Sequence, residues 1–154
     1  MSQRNLSLTV ASGYPLVYNS LLGTMLLRAL AICLLIALAE TVHGALRVRF
    51  LNPRFGDRRA RQLGVFTGSA IFLLITWWTL PWIAASTASQ CLQIGLLWLI
   101  LMLAFDIAFG RLYFHFPWHR IAADFDPRKG GLLGIGMLLL FFAPLLAAKL
   151  HGLL

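Results

Sequence analysis

Long uncharged segments dominate the distribution of hydrophobic and polar residues along this chain. No Asp, Glu, Lys or Arg occurs between Arg61 and Asp106, and another uncharged segment runs from Gly130 to Ala148. The first is about twice the length that a helix needs to cross a bilayer, and the small, polar residues 84–90 interrupt it. A less uniform apolar segment extends from about Leu21 to Gly44. The pattern predicts four transmembrane helices.

These segments are apolar on every face, whereas the strands of a membrane barrel alternate apolar and polar residues. Hydrophobic residues make up 60% of the chain and charged residues 12%, a composition that excludes an ordinary soluble domain. We therefore predict an all-α fold, a polytopic membrane four-helix bundle. Residues 1–18 lack the basic start, apolar stretch and cleavage site of a signal peptide, so the first helix is expected to stay attached.

The net charge of +8 lies mainly in two loops, which the excess of basic residues places in the cytoplasm. The N-terminus, residues 84–90 and the C-terminus are then expected outside. Basic residues beside helix ends favour contacts with the phosphates of anionic lipids over binding of nucleic acid. The predicted phosphate contacts are Arg54, Arg58, Arg59, Arg61, Arg120, Arg128 and Lys129.

An internal repeat is visible when the sequence is shifted against itself by 66 residues. Matched residues are Glu40 with Asp106, Gly44 with Gly110, Arg54 with Arg120, Gly64 with Gly130 and Gly68 with Gly134. This predicts an N-terminal extracytoplasmic segment at 1–20 and two-helix repeats at 21–86 and 87–154. Because each repeat has two spans, both copies insert in one orientation, and the axis that relates them is expected along the membrane normal.

The matched glycines form Gly-x-x-x-Gly motifs at the starts of the second and fourth helices. Such motifs leave a groove in which a second helix can approach closely within lipid. We expect Gly64, Gly68, Gly130 and Gly134 to pack the second helix against the fourth, or alternatively one protomer against another.

Glu40 and Asp106 are the strongest candidates for a functional site. Each lies about one turn inside the predicted edge of the hydrocarbon, where a charged side chain is costly unless it faces protein, water or a partner. Two neighbouring carboxylates could share a proton or bind a cation, with His43 as a relay. The structural alternative pairs Glu40 with His43 and Arg47, and pairs Asp106 with Arg111 or the Tyr113 hydroxyl.

Other chemistry has little support in the sequence. The repeat partner of His43 is Phe109, so a symmetric pair of haem-ligating histidines does not exist, and no cofactor is predicted. His115 and His119 have metal-like spacing, but Pro117 interrupts the helix that this spacing requires. A glycine-flanked nucleophile is also lacking, so an enzyme is the less favoured class and no catalytic or metal residue is assigned.

The segment AETVHGALRVRFLNPRFGDRRARQLGVFTGS, residues 39–69, contains His-Gly-x-x-Arg followed by Gly-Asp-x-Arg-Ala-Arg-Gln-x-Gly. It resembles a group of small uncharacterised bacterial membrane proteins with four helices. The resemblance implies a bacterial inner-membrane setting and no activity.

Three functional hypotheses follow from these patterns. The first is a small oligomeric channel or transporter with a cation or proton site at Glu40 and Asp106. The second is a non-catalytic subunit that docks through its glycine faces onto a larger membrane complex. The third is an enzyme that acts on phospholipid headgroups, with Arg54 and Arg120 as phosphate contacts.

Overall fold

The computed structural model describes residues 3–113, 115–129 and 131–154, with the side chains of all of these except 3–18, 113 and 129. Within these ranges the chain is helical and contains no strand, which confirms the all-α prediction. The helices are α1 Gln3–Leu46, α2 Asn52–Phe55, α3 Asp57–Ile83, α4 Ala88–Ala108, α5 Trp118–Phe125 and α6 Leu133–Leu150. The π-helical turns Arg47–Leu51 and Phe109–Tyr113 follow α1 and α4, and the 3-10 turn Pro127–Lys129 precedes α6.

Four helical segments among the described residues are long and apolar enough to cross a membrane. They are Asn19–Phe55, Asp57–Ile83, Ala88–Leu112 and Leu133–Leu150. Their length and composition confirm a multi-pass integral membrane protein.

The four long helices form a closed ring. α1 packs against α3 and α4, and α6 packs against the same two helices from the other side. Trp98 of α4 is fully buried and donates a hydrogen bond from Nε1 to the Ala29 carbonyl of α1 at 2.8 Å, which fixes the height of one helix against the other. The core therefore lies along the centre of the ring.

This ring places helices that correspond in the sequence repeat beside each other, α1 beside α4 and α3 beside α6. A two-fold axis along the membrane normal cannot do this for both pairs, because it would put at least one pair on opposite sides of the bundle. The expected axis is therefore absent from the arrangement, and the duplication stays a prediction from the sequence.

Among the described glycines, the closest approach of two helices is made by one that the motif analysis did not select. A Cβ added at Gly95 of α4 would meet the backbone carbonyl of Phe141 on α6, so only glycine fits at this crossing. Gly136 supports the neighbouring contact of α6 with α3, since its added Cβ would lie 3.4 Å from Val65 Cγ1.

Two helix boundaries differ from the sequence expectation. The first helix begins at Gln3 rather than near Leu21, so the segment assigned to residues 1–20 is helical from Gln3 onward. The fourth spanning helix begins at Leu133, three residues after the start of the uncharged segment, although Asp126-Pro127 offers an N-cap acid and a first-turn proline for an earlier start. Asp126 Oδ1 instead accepts a hydrogen bond from the Arg128 amide at 3.0 Å, which caps only the short 3-10 turn.

The last turns of α3 show how the bundle tolerates Pro81. Proline has no amide hydrogen, so the carbonyl four residues earlier, that of Trp77, lacks its helical partner. His151 lies 2.7 Å from that oxygen through Nε2 and stacks on the Trp77 ring, so it donates the missing hydrogen bond. Arg28 similarly donates to the Trp82 carbonyl at 2.8 Å.

Candidate functional site

The glycine groove of α3 holds one charged side chain of α1 and one of the π-helical turn that follows α1. A Cβ added at Gly68 would lie 2.7 Å from Oε2 of Glu40, and one added at Gly64 would lie 2.6 Å from Cδ of Arg47. The prediction that these two glycines pack the second helix against the fourth is therefore wrong. They make room for an acid of α1 and a base of the π-helical turn that follows it.

The second glycine motif has a different environment. The nearest atoms to a Cβ added at Gly134 belong to Phe125, at 3.9 Å. Gly130 lies outside the described residues. The sequence motif identified close packing at the first of these sites, but it did not identify the neighbour.

Glu40 begins a chain of polar contacts that runs from α1 to α3. His43 Nδ1 lies 3.4 Å from Glu40 Oε2, and His43 Nε2 lies 2.7 Å from Thr67 Oγ1. The side chains of Glu40 and His43 are 24% and 17% exposed, whereas Thr67 is exposed on the outside of the bundle. The predicted pairing of Glu40 with His43 is thus present, and Thr67 extends it to the protein surface.

The depth of this chain follows from helix geometry. Gly68, which contacts Glu40, is eleven residues after Asp57 and fifteen before Ile83. At 1.5 Å per residue, the carboxylate lies about 16 Å from one end of α3 and about 22 Å from the other. The Glu40 carboxylate is therefore nearer to the Asp57 end of α3 than to the Ile83 end.

Two polar atoms near this level have no hydrogen-bond partner among the described residues. One is the second oxygen of the same carboxylate, Oε1 of Glu40, and the other is Oγ of Ser69, which lies next to Gly68. Ser69 is only 7% exposed and lies on the side of α3 that faces Gly136. Buried polar atoms normally have a partner, so each of the two marks a position where a water can bind, or a proton or an ion in the case of the carboxylate.

Asp106 of α4 lies within electrostatic range of Glu40 and of Asp124. Within the described part of the chain it has no hydrogen-bond or ion-pair partner. The predicted partner Arg111 instead donates to the Phe116 carbonyl at 2.9 Å and lies over the Trp118 ring at 5.0 Å, so that pairing is wrong. The Tyr113 side chain lies outside the described residues.

An ion-pair network lies at the arginine-rich end of the bundle, where α3 begins. Arg61 contacts Asp124 of α5 at 3.0 Å and Asp57 at 3.5 Å, and Arg120 contacts Asp57 at 3.8 Å. Burial raises the pKa of Asp124, while the charges of Arg61, Arg120 and Arg47 act in the opposite direction. The network fastens α5 to the first turn of α3.

The basic residues predicted to contact lipid phosphates fall into two groups. Arg61 and Arg120 already have carboxylate partners inside the protein. The second group is exposed and has no ion-pair partner among the described residues, and consists of Arg54, Arg58, Arg59 and Arg128. The side chain of Lys129 is outside the described set. The exposed arginines of this second group can therefore still make the contacts with lipid headgroups that the sequence predicts.

Sequence reasoning missed Thr67 and Ser69. The signal that could have found them is the run Thr67-Gly68-Ser69, which places two hydroxyl groups around a glycine in an otherwise apolar helix. A hydroxyl in a spanning helix commonly bonds to its own backbone, so the residues did not stand out.

Comparisons with protein-family models, with curated proteins and with solved structures each give no match. The assignment of function therefore rests on the residues and contacts described above.

Proposed function

We propose that this integral membrane protein is a small oligomeric channel or transporter in which Glu40 and Asp106 form a proton or cation site. The observation that carries the proposal is the pair of acids on contacting helices, with Glu40 Oε1 buried without a hydrogen-bond partner in the described chain and Asp106 within electrostatic range of Glu40. Acids are rare inside spans and are associated with ion and proton pathways.

Electrostatics supports binding at this position. Two carboxylates in a medium of low dielectric repel each other and lose hydration, and a bound proton or cation relieves both costs. Among the described residues, His43 contacts Glu40 and no other acid, and it is positively charged only when it is protonated. The site therefore has a deficit of positive charge, despite the many arginines at the same end.

The competing functions lose specific support. Docking through the first glycine motif requires a free groove, but Glu40 and Arg47 fill it from within the same chain. Headgroup chemistry with Arg120 requires a free guanidinium, but this residue contacts Asp57 and lies over the Phe116 ring. Transport is the hypothesis for which the structure adds a feature.

The proposal includes an assembly and a topology. Four helices are too few to line a wide pore and also shield it from lipid, so the functional unit is an oligomer. The basic loops lie in the bacterial cytoplasm with both termini outside, as the positive-inside rule indicates. In the duplicated architecture, the units 21–86 and 87–154 each contribute one acid from the end of their first helix.

The test is ion flux into liposomes that contain the purified protein. We expect wild-type protein to carry protons or monovalent cations and the double substitution Glu40→Gln with Asp106→Asn to abolish this flux. Asp126→Asn is the matched control, because the new amide oxygen can still accept the hydrogen bond from the Arg128 amide. Equal helix content and unfolding temperature for all variants exclude misfolding. Wild-type flux that survives the double substitution would refute the proposal.

A further inference from the structure

Arg47 lies at the arginine-rich end of the bundle, in the groove between α1 and α3. It begins the π-helical turn that follows α1, and its side chain crosses α3 at Gly64. A Cβ added at Gly64 would lie 2.6 Å from Cδ and 3.4 Å from Nε of Arg47, so any side chain there would displace this stem. Glycine thus makes room for the stem and leaves Arg47 half-buried.

The Arg47 guanidinium has no hydrogen-bond or ion-pair partner among the described residues. The sequence allowed a pair with Glu40, but the ion-pair contact of Glu40 is His43. A guanidinium carries five N–H donors, and partial burial removes water from them without supplying another acceptor. Arg47 therefore offers both charge and free donors to a ligand.

The acids nearest to Arg47 do not balance its charge. Asp57 and Asp124 lie within electrostatic range of Arg47, but both already have arginine partners. Asp124 contacts Arg61 at 3.0 Å, and Asp57 contacts Arg61 at 3.5 Å and Arg120 at 3.8 Å. Three arginines thus share two aspartates, and the exposed arginines in the first turn of α3 add further positive charge. The surroundings of Arg47 therefore favour an anion.

The depth of Arg47 indicates which anion can reach it. α3 has 27 residues and is about 40 Å long, close to the thickness of a bilayer with its headgroups, about 40 to 45 Å. Its first turn therefore lies among the headgroups, and Gly64 lies about 10 Å further in. An arginine stem can extend along apolar surface from this depth and bring its charged end to the phosphates of the nearest leaflet.

We propose that Arg47 binds the phosphate group of a phospholipid at the mouth of the groove between α1 and α3. The planar guanidinium can donate two parallel hydrogen bonds to phosphate oxygens, a geometry that lysine does not offer. The phosphate supplies the acceptors that Arg47 lacks and balances the remaining positive charge. This inference is independent of the transport function, because neither Glu40 nor Asp106 takes part in the site.

The first test measures the affinity of the full-length protein for phosphatidylglycerol by native mass spectrometry from nonionic detergent. The matched control for Arg47→Gln is Arg49→Gln, which removes the same charge from an exposed residue of the same turn. A salt concentration of about 0.5 M ammonium acetate screens exposed charges more than half-buried ones. We expect affinity for the first lipid to fall about tenfold in Arg47→Gln, the effect of roughly one charge-assisted hydrogen bond. Arg49→Gln should stay within about twofold of the wild type, because its exposed charge is screened.

A second variant moves the guanidinium without removing any charge. Gly64→Ala places a Cβ against the Arg47 stem, so we expect the affinity for phosphatidylglycerol to fall although the net charge is unchanged. Gly44→Ala is the control, since a Cβ added there meets no atom within 4 Å. Helix content and unfolding temperature without lipid establish that each variant is folded.

A third measurement uses the wild type alone and identifies the source of the phosphate. Delipidated protein is heated with phosphatidylglycerol, with diacylglycerol, which lacks the phosphate, or with sodium phosphate against sodium chloride of equal ionic strength. We expect only phosphatidylglycerol to raise the unfolding temperature, because a ligand that binds the folded state stabilises it.

The outcomes are distinct. Equal affinities of the wild type and Arg47→Gln, or equal losses in Arg47→Gln and Arg49→Gln, would overturn the inference. Equal stabilisation by diacylglycerol and phosphatidylglycerol would overturn recognition of the phosphate. Stabilisation by sodium phosphate that Arg47→Gln abolishes would support a phosphate site at Arg47 and overturn the lipid as its source.

Discussion

Substitution of Gly68 by alanine tests whether the glycine groove of α3 exists to hold Glu40. The added Cβ would lie 2.7 Å from Oε2 and 3.1 Å from Oε1 of the carboxylate, whereas ordinary contacts begin near 3.4 Å. The carboxylate or the α1 backbone must therefore move by several tenths of an ångström. Because these atoms are the end of a flexible side chain that can shift, the cost lies at the low end of the range for overpacking, about 1 kcal/mol.

A matched control is available because Gly44, also in a helix, has no atom within 4 Å of an added Cβ. Alanine there should stabilise the helix by up to about 1 kcal/mol relative to glycine. The same propensity gain acts at position 68 and offsets part of the steric cost. We therefore expect Gly68→Ala to be about 1 kcal/mol less stable than Gly44→Ala.

Reversible unfolding in mixed micelles, followed by helical circular dichroism, measures this difference. Combining Gly68→Ala with Glu40→Ala removes the clashing carboxylate, so the position 68 substitution should then become as favourable as Gly44→Ala. Equal stability of the two single variants, or an unchanged penalty in the absence of Glu40, would refute the steric account of the groove.

Three further predictions concern other contacts of the bundle. His151→Phe should destabilise the protein by about 0.5 to 1.5 kcal/mol, because the hydrogen bond to the Trp77 carbonyl is lost. Pro81→Ala returns the helical amide hydrogen to that carbonyl, so in a double-mutant unfolding cycle it should remove most of the penalty. An equal penalty with Pro81 and with Ala at position 81 would contradict this account. Burial raises the pKa of Asp124, so the folded state binds more protons than the unfolded state at pH values above the usual aspartate pKa of about 3.9. The stability of the wild type relative to Asp124→Asn should therefore fall as the pH rises through that range and then level off. A stability difference that rises with pH would show that the pKa is lowered instead. Replacing exposed Arg58 and Arg59 with glutamine should weaken binding to anionic vesicles by about 1 kcal/mol per residue and reduce the salt dependence of that binding. Binding to neutral vesicles, the control, should change little. Unchanged binding to anionic vesicles would show that these arginines do not contact the headgroups.

The sequence was sufficient to predict the four membrane spans and the contact between Glu40 and His43 within one helix. Uncharged segments long enough to cross a bilayer have few other uses, so the four spans could be recognised without a structure. The pairing of Glu40 with His43 was also predictable, because residues three apart on a helix share a face.

Contacts between helices could not be predicted in the same way. Hydropathy gives the depth of a residue but not which neighbour it faces, since lipid and protein are both apolar. This is why Gly68 was assigned to the fourth helix although it contacts Glu40 of the first, and why Gly95 was not selected. Partner choice at helix ends was equally open, because Arg111 had both Asp106 and the Trp118 ring within its sequence neighbourhood.

Ion flux into liposomes tests the central claim most directly, when wild type, Asp126→Asn and the double variant Glu40→Gln with Asp106→Asn are compared at equal protein content. The account predicts equal flux for the first two and only the leak of empty vesicles for the third. Flux that is the same in all three, or absent from folded, oligomeric wild-type protein, would contradict it.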